Sequence, residues 1–182
     1  MRRVLVLDER EATLRALGEG EENPYYEEPE EHPDPSLGCI RRGLCCKSNP
    51  GWFSPGEAEQ AAALLGMSPD AFVRAYLIVD GLDLDGERVD VFAPVKLGRD
   101  GEPLEPTATR ASRLYGYLRG PCVFYQGEQR GCRIYEARPT ECRLYVCTNA
   151  DEDNPSHAAI ARQWQDAARQ GAARQGAARQ GA

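Results

Sequence analysis

Long apolar runs are missing from this sequence, which argues against several classes of protein. The longest one near the start is Val4 to Leu7, far shorter than a signal-peptide core or a membrane span. We therefore expect a cytoplasmic protein that does not bind a membrane. In a reducing cytosol, clustered cysteines are more often metal ligands or redox groups than disulfides, and seven cysteines cannot all pair within one chain.

Histidine is scarce, and familiar catalytic arrangements are absent. The only histidines are His32 and His157, both in segments that we predict to be tails. The sequence has no Ser-His-Asp arrangement and no Gly-rich phosphate loop, so a Cys-His nucleophile is disfavoured. A redox-sensing cysteine beside an arginine stays open as an alternative.

Basic charge is not concentrated anywhere in the body of the chain. Residues 1–35 contain eleven acids and four bases, which accounts for the net charge of −7, while the remaining residues balance at 18 bases and 18 acids. No basic stripe indicates a nucleic-acid partner. Glu19 to Asp34 has eight acids, three prolines and no Lys or Arg, which favours a solvated linker over an acidic docking arm for a basic partner.

Three regions follow from these patterns. Residues 1–35 are predicted to hold a short strand or helix and the acidic linker. Residues 36–154 form the main domain, predicted to be a single α+β unit, helix-rich with short β-hairpins. Residues 155–182 are predicted to be a final helix with Ile160 and Trp164 on one side, followed by AARQG repeats. Glycine costs about 1 kcal/mol in a helix interior, so we expect these repeats to be frayed.

Local signals within the main domain are clear. Ser54-Pro55-Gly56-Glu57 and Ser68-Pro69-Asp70 are typical helix starts, each with a capping hydroxyl and a proline at the first helical position. Val89 to Leu97 alternates as a strand that Pro94 places at a sheet edge. Gly81 to Gly86 lacks two carboxylates that a calcium loop needs, and is predicted to be a turn.

Cysteines are the residues that point to function. Two groups of them stand more than seventy residues apart, Cys39, Cys45 and Cys46 in the first and Cys122, Cys132, Cys142 and Cys147 in the second. A soft divalent metal or an iron–sulfur cluster needs about four thiolates held by short, rigid elements. We therefore expect the fold to bring the two groups together around a metal.

The second group has recognisable supports. Val123–Tyr125 and Arg133–Tyr135 flank a turn and are predicted to form a hairpin, and Pro139 is expected to open a helix through about Leu144. That helix must end before Cys147 if this residue and Cys142 are to face one site. Adjacent cysteines project differently, so only one of Cys45 and Cys46 is expected to bind a single ion.

Arginines accompany the cysteines closely. Arg41, Arg42, Arg133 and Arg143 each lie one to three residues from a cysteine. A site of four thiolates is strongly anionic, and guanidinium groups nearby would offset that charge. We predict this role for them.

Three segments of the chain carry a resemblance to a known family: CIRRGLCC, GPCVFY and GCRIYEARPTECRLY. They resemble the CxxCxxCC (YkgJ-type) family of zinc- or iron-chelating cysteine-cluster proteins. The resemblance covers about Leu37 to Ala150, and IYEARPTEC is its most specific part. It implies a small bacterial cytoplasmic domain whose clustered cysteines chelate metal. Flagellin lysine methylases carry a similar cysteine pattern and resemble iron–sulfur proteins, so a [4Fe–4S] cluster is an alternative to zinc or iron.

One departure from the family pattern affects the expected site. The second cysteine of CxxCxxCC falls at Arg42 here, which makes a two-metal arrangement less favourable. We predict a single site formed by Cys39, one of Cys45 and Cys46, Cys132 and Cys142, followed by Cys122 and Cys147. The expected function is metal chelation with an unidentified protein partner or substrate. The alternatives are a cluster-dependent enzyme of methyltransferase-like or redox type and an adaptor with a structural metal.

Overall fold

The computed structural model describes residues 43–48, 50–127, 131–145 and 157–180. Their helices and strands are, in order, α1 (Leu44–Ser48), α2 (Glu57–Leu64), α3 (Pro69–Tyr76), β1 (Leu77–Leu84), β2 (Glu87–Pro94), β3 (Tyr125–Gln126), β4 (Gly131–Cys132), α4 (Thr140–Leu144) and α5 (His157–Gln180). Two single-turn 3-10 helices, Tyr115–Tyr117 and Tyr135–Ala137, complete these elements. The predicted mixture of helices and short antiparallel hairpins is confirmed. The segment predicted over residues 1–35 lies outside the described residues.

The starts of α2 and α3 agree with the sequence signals to different degrees. At α3, the Ser68 hydroxyl accepts a hydrogen bond from Ala71 N–H, and Pro69 occupies the first helical position, as predicted. At α2, the Glu57 carboxylate accepts from Ser54 N–H at 2.8 Å, also as predicted. The helix itself begins at Glu57, after Gly56 with φ of 85°, so the predicted cap by the Ser54 hydroxyl is wrong. The left-handed backbone at Gly56 delays the helix by two residues.

A hairpin of β1 and β2 forms the larger of the two sheets in the described part of the chain. Its register runs from Leu77 opposite Pro94 to Leu84 opposite Glu87. The turn is Asp85-Gly86, and both residues have positive φ, 52° and 83°, the backbone of a two-residue type I′ turn. The turn predicted over residues 81–86 is therefore shorter than expected. The strand continues to Leu84 because that side chain is buried in the core.

Two apolar clusters pack on this hairpin. One contains Ile78, Val91 and Val95 with Ile160 of α5. The other contains aromatic side chains, with Phe72 of α3 stacked on Phe124 at 5.6 Å between ring centroids. The second cluster also includes Cys122, and Cys132 packs against it, so part of the cysteine group rests on this core.

The predicted C-terminal helix α5 begins at His157; Ile160 is buried, and Trp164 packs against the same cluster. The helix continues through the AARQG repeats to Gln180, so the expected fraying there is wrong. Alanine, arginine and glutamine are strong helix formers, and their propensities offset the cost of the glycines. Within the described ranges, no helix combines the length and the apolar character needed to cross a bilayer.

Candidate metal centre

Every cysteine in the described part of the chain lines one cavity of about 50 Å³. These residues are Cys45, Cys46, Cys122, Cys132 and Cys142, and they are thiols that form no disulfide with one another. They come from α1, the segment before β3, β4 and α4. The expectation that the fold joins the two groups of cysteines is confirmed for these five. Cys39 and Cys147 lie outside the described residues.

Helix α1 carries the adjacent pair. Its position is fixed by a backbone hydrogen bond of 2.6 Å from Cys122 N–H to the Cys46 carbonyl. The sulfur atoms of Cys45 and Cys46 are 4.0 Å apart, and both residues line the cavity. The contact with Cys46 lowers the pKa of Cys45 to about 7, whereas the same contact raises the pKa of Cys46. A Cys45 thiolate that accepts a hydrogen bond from the Cys46 thiol explains the opposite directions. That only one of the pair binds metal stays a prediction.

Cys122 is the most enclosed of the five, with 7% of its surface exposed. Its backbone pairs with Lys96 just beyond β2, and the Val123 N–H donates to the Val95 carbonyl at 3.0 Å. Burial raises the pKa of Cys122 to about 12. As a neutral thiol, this residue packs as part of the apolar core.

The predicted hairpin that carries Cys132 is confirmed. Its strands are β3 and β4, with Tyr125 opposite Cys132. The strand ends lie one to three residues from the predicted ones, and β4 precedes the predicted Arg133–Tyr135 without overlapping it. Tyr125 and Tyr135 also line the cavity, so aromatic rings stand beside the thiols.

Cys142 lies on α4, the short helix predicted after Pro139. The helix ends at Leu144, before Cys147, as the sequence requires. The Cys142 sulfur accepts a hydrogen bond of 3.2 Å from Gly51 N–H. Burial raises the pKa of Cys142, and the Gly51 N–H opposes this by stabilising the thiolate. Backbone N–H donors of this kind tune metal-bound thiolates.

Glu141, the residue before Cys142, contacts the backbone of Trp52, the residue after Gly51. Its carboxylate accepts a short hydrogen bond from Trp52 N–H, and its other oxygen lies 3.3 Å from His157 Nε2. The His157 ring stacks on Trp52 at 4.0 Å. Burial raises the pKa of Glu141 to about 7 and lowers the pKa of His157, which favours the neutral forms of both. His157 is therefore a packed residue, and its prediction as part of a tail is wrong.

The arginines are arranged differently from the prediction. Arg133 donates to the Tyr76 hydroxyl at 2.7 Å, and its guanidinium lies over that ring. Arg143 forms an ion pair of 2.9 Å with Glu57. Among the described residues, the cation that lines the cavity is Arg138, whose charge helps to lower the pKa of Cys45. Arg41 and Arg42 lie outside the described residues.

Sequence reasoning missed three residues of this site, Gly51, Glu141 and Arg138. Each acts through a contact between segments that are distant in the chain, and a single sequence gives no signal for such a contact. Glu141 stands directly before Cys142, but an acid next to a cysteine is not a spacing pattern that predicts a role in the site.

The donor chemistry of the cavity fits a thiophilic metal. Thiolates suit zinc, iron and iron–sulfur clusters, whereas magnesium and calcium prefer oxygen ligands. In the described ranges, no three His, Cys, Asp or Glu side chains are already gathered as a metal site. The five thiols thus supply donors around a common space, and binding requires their side chains to turn towards the ion.

The chain belongs to the CxxCxxCC family. The family model, described as "Putative zinc- or iron-chelating domain", matches residues 38–160, about two thirds of the chain. This match confirms the family that the cysteine motifs indicated, and with it a zinc- or iron-chelating character. No curated protein matches the chain, and no solved structure matches it.

Proposed function

We propose that this protein binds zinc, iron or a [4Fe–4S] cluster at one site in the bacterial cytoplasm. The proposed ligands are Cys39, one of Cys45 and Cys46, Cys132 and Cys142. The observation that carries the proposal is the shared cavity, where thiols from four segments line about 50 Å³. Cys122 serves as the next candidate ligand, together with Cys147.

Convergence of five thiols on one cavity supports chelation over ordinary core packing. A free cysteine is a small hydrophobe, and one or two in a core need no explanation. Here the cavity also has an N–H donor aimed at a sulfur atom, from Gly51 to Cys142, and a cation, Arg138, on its wall. Both would stabilise thiolates when a metal removes the protons.

The metal would also hold the domain together. It would link α1, near the start of the described residues, to α4, almost a hundred residues later. Structural zinc contributes about 10–16 kcal/mol of apparent binding free energy in model peptides. We therefore expect the loaded protein to be far more stable than the metal-free one. An as yet unidentified protein partner or substrate would bind to this loaded form.

The test is to purify the full chain without oxygen and measure zinc, iron and inorganic sulfide, together with the visible absorption spectrum. Stoichiometric zinc without colour supports a mononuclear zinc site. Iron with equivalent sulfide and a brown colour supports a cluster. A folded protein with seven reduced thiols that takes up neither metal on reconstitution would overturn the proposal.

Cysteine variants then test the ligand set. Cys132→Ser and Cys142→Ser should each abolish stoichiometric metal, because serine is a poor ligand for a soft ion. Ser112→Ala, on an exposed segment away from the cavity lining, serves as the control and should keep full metal. If both cysteine variants keep full metal, the proposed ligands are wrong.

A further inference from the structure

Glu57 is a buried acid that connects two distant parts of the chain. Only 6% of its surface is exposed, so its carboxylate must find its partners within the protein. It accepts hydrogen bonds from Ser54 N–H at 2.8 Å and from Thr140 N–H at 2.9 Å. The Thr140 hydroxyl makes a short hydrogen bond to it, and Arg143 forms an ion pair of 2.9 Å.

The partners of Glu57 on α4 flank Cys142 in the sequence. Thr140 is the first residue of α4, two positions before Cys142, and Arg143 follows directly after it. Arg143 also donates to the Arg138 carbonyl at 2.6 Å, so the turn that enters α4 is held as well. The backbone that presents the Cys142 sulfur is thus fixed from Glu57, which is 83 residues from Thr140.

A second set of contacts reaches Cys142 from the same stretch of chain. Gly51 N–H donates to its sulfur, and Trp52 N–H donates to Glu141. Two groups of hydrogen bonds therefore join residues 51–57 to α4, one near the Cys142 thiol and one at the start of the helix. The bonds at the helix start set the distance between the Gly51 N–H and the sulfur, because α4 is only five residues long.

We propose that Glu57 is a positioning residue for metal binding, which holds the Cys142 thiolate in its binding geometry through Thr140 and Arg143. This inference rests on the proposed function and deepens it. A carboxylate that served the fold alone would change the free energy of unfolding and leave metal affinity in the folded protein unchanged. A positioning role predicts a change in affinity and in the ligand field of the bound ion.

The experiment compares Glu57→Gln with Glu59→Gln in the full chain. Glu59 lies in the first turn of the same helix but is exposed, so the control removes an acid without touching α4. Metal-free protein is titrated with Co²⁺, whose absorption reports thiolate coordination, and zinc affinity is obtained by competition with a chelator. Circular dichroism verifies that each variant is folded.

We expect Glu57→Gln to weaken zinc binding about tenfold or more and to alter the Co²⁺ spectrum, because loss of groups that orient ligands typically costs 10–100-fold. Glu59→Gln should behave as the unchanged protein. If Glu57→Gln does not fold, Arg143→Gln keeps the test open: this side chain is 40% exposed, and its loss should weaken binding several-fold.

Two results would count against the inference, and they are distinguishable. Folded Glu57→Gln, or folded Arg143→Gln if the former does not fold, with unchanged zinc affinity and an unchanged Co²⁺ spectrum would limit Glu57 to a role in stability. An unchanged protein that binds neither Co²⁺ nor zinc, and accepts no iron–sulfur cluster, would instead remove the proposed function on which the inference rests.

Discussion

Replacement of Gly51 by alanine tests the cavity wall most directly. A Cβ at this position would lie 2.8 Å from the Cys142 sulfur, 3.0 Å from the Cys142 backbone nitrogen and 3.0 Å from the Glu141 Cβ. Ordinary contacts between such atoms are about 3.5–4.0 Å. The sulfur can rotate away, but the other two atoms belong to α4 and its backbone. The helix must therefore retreat by roughly 0.5–1 Å.

The size of the effect on stability and on zinc affinity follows from the packing and the hydrogen bond that the movement of α4 disrupts. Forcing an extra methyl into a packed site costs about 1–3 kcal/mol in the free energy of unfolding. The hydrogen bond from Gly51 N–H to the Cys142 sulfur, now 3.2 Å, would also be lost. A bond to a charged acceptor contributes about 1.5–3 kcal/mol, so zinc affinity should fall about 10–100-fold.

Zinc competition and urea unfolding, followed by tryptophan fluorescence, measure the two effects separately. Gly116→Ala is the matched control, because a Cβ there meets no atom within 4 Å. The control should leave both quantities near those of the unchanged protein. Gly51→Ala with unchanged zinc affinity and unchanged unfolding would refute the close approach of residue 51 to α4.

Three further predictions concern other features. Burial lowers the pKa of Lys96 from 10.5 to about 8, so at this residue the unfolded chain binds more protons than the folded protein between these pH values. The contribution of Lys96 to the free energy of unfolding should therefore rise with pH across this window, by about 3 kcal/mol at most, against an opposite contribution from thiols such as Cys122, whose pKa burial raises. Lys96→Met should remove the Lys96 contribution, so the change in the free energy of unfolding between pH 7.5 and 10.5 should be less favourable in the variant than in the unchanged protein, and an identical change in both would contradict the buried cation. Gly171→Ala in α5, where a Cβ meets nothing within 4 Å, should increase helicity by circular dichroism and stabilise the helix by up to about 1 kcal/mol; a decrease would argue against the helix. Of Cys45→Ser and Cys46→Ser, only one should abolish bound metal, as elemental analysis would show, and equal loss from both would mean that both ligate.

The local elements of this fold were predictable from sequence. The start of α3 at Ser68-Pro69 and the helix after Pro139 depend on neighbouring residues, whose capping and φ preferences act within one turn. The β3–β4 hairpin likewise joins residues only a few positions apart. These signals placed the helix of Cys142 within one residue and the hairpin of Cys132 within three.

The contacts that form the site were not predictable in the same way. Glu57 was recognised as half of a helix cap, yet its bonds to Thr140 span 83 residues. Arg143 was expected to face the thiolates because it adjoins Cys142, but it pairs with Glu57 instead. Adjacency in sequence does not give the direction of a side chain, and tertiary contacts decide it here.

The bonds between residues 51–57 and α4 also constrain when the site can be completed. The hydrogen bond from Gly51 N–H to the Cys142 sulfur cannot form until Cys142, 91 residues further along the chain, has been synthesised. At about 5–20 residues per second, synthesis of that interval takes several seconds. Cys45 and Cys46 emerge early and stay without their distant partners throughout. The proposed metal site would therefore close only after Cys142 has been synthesised, and a metal supplied earlier would meet only part of the proposed ligand set.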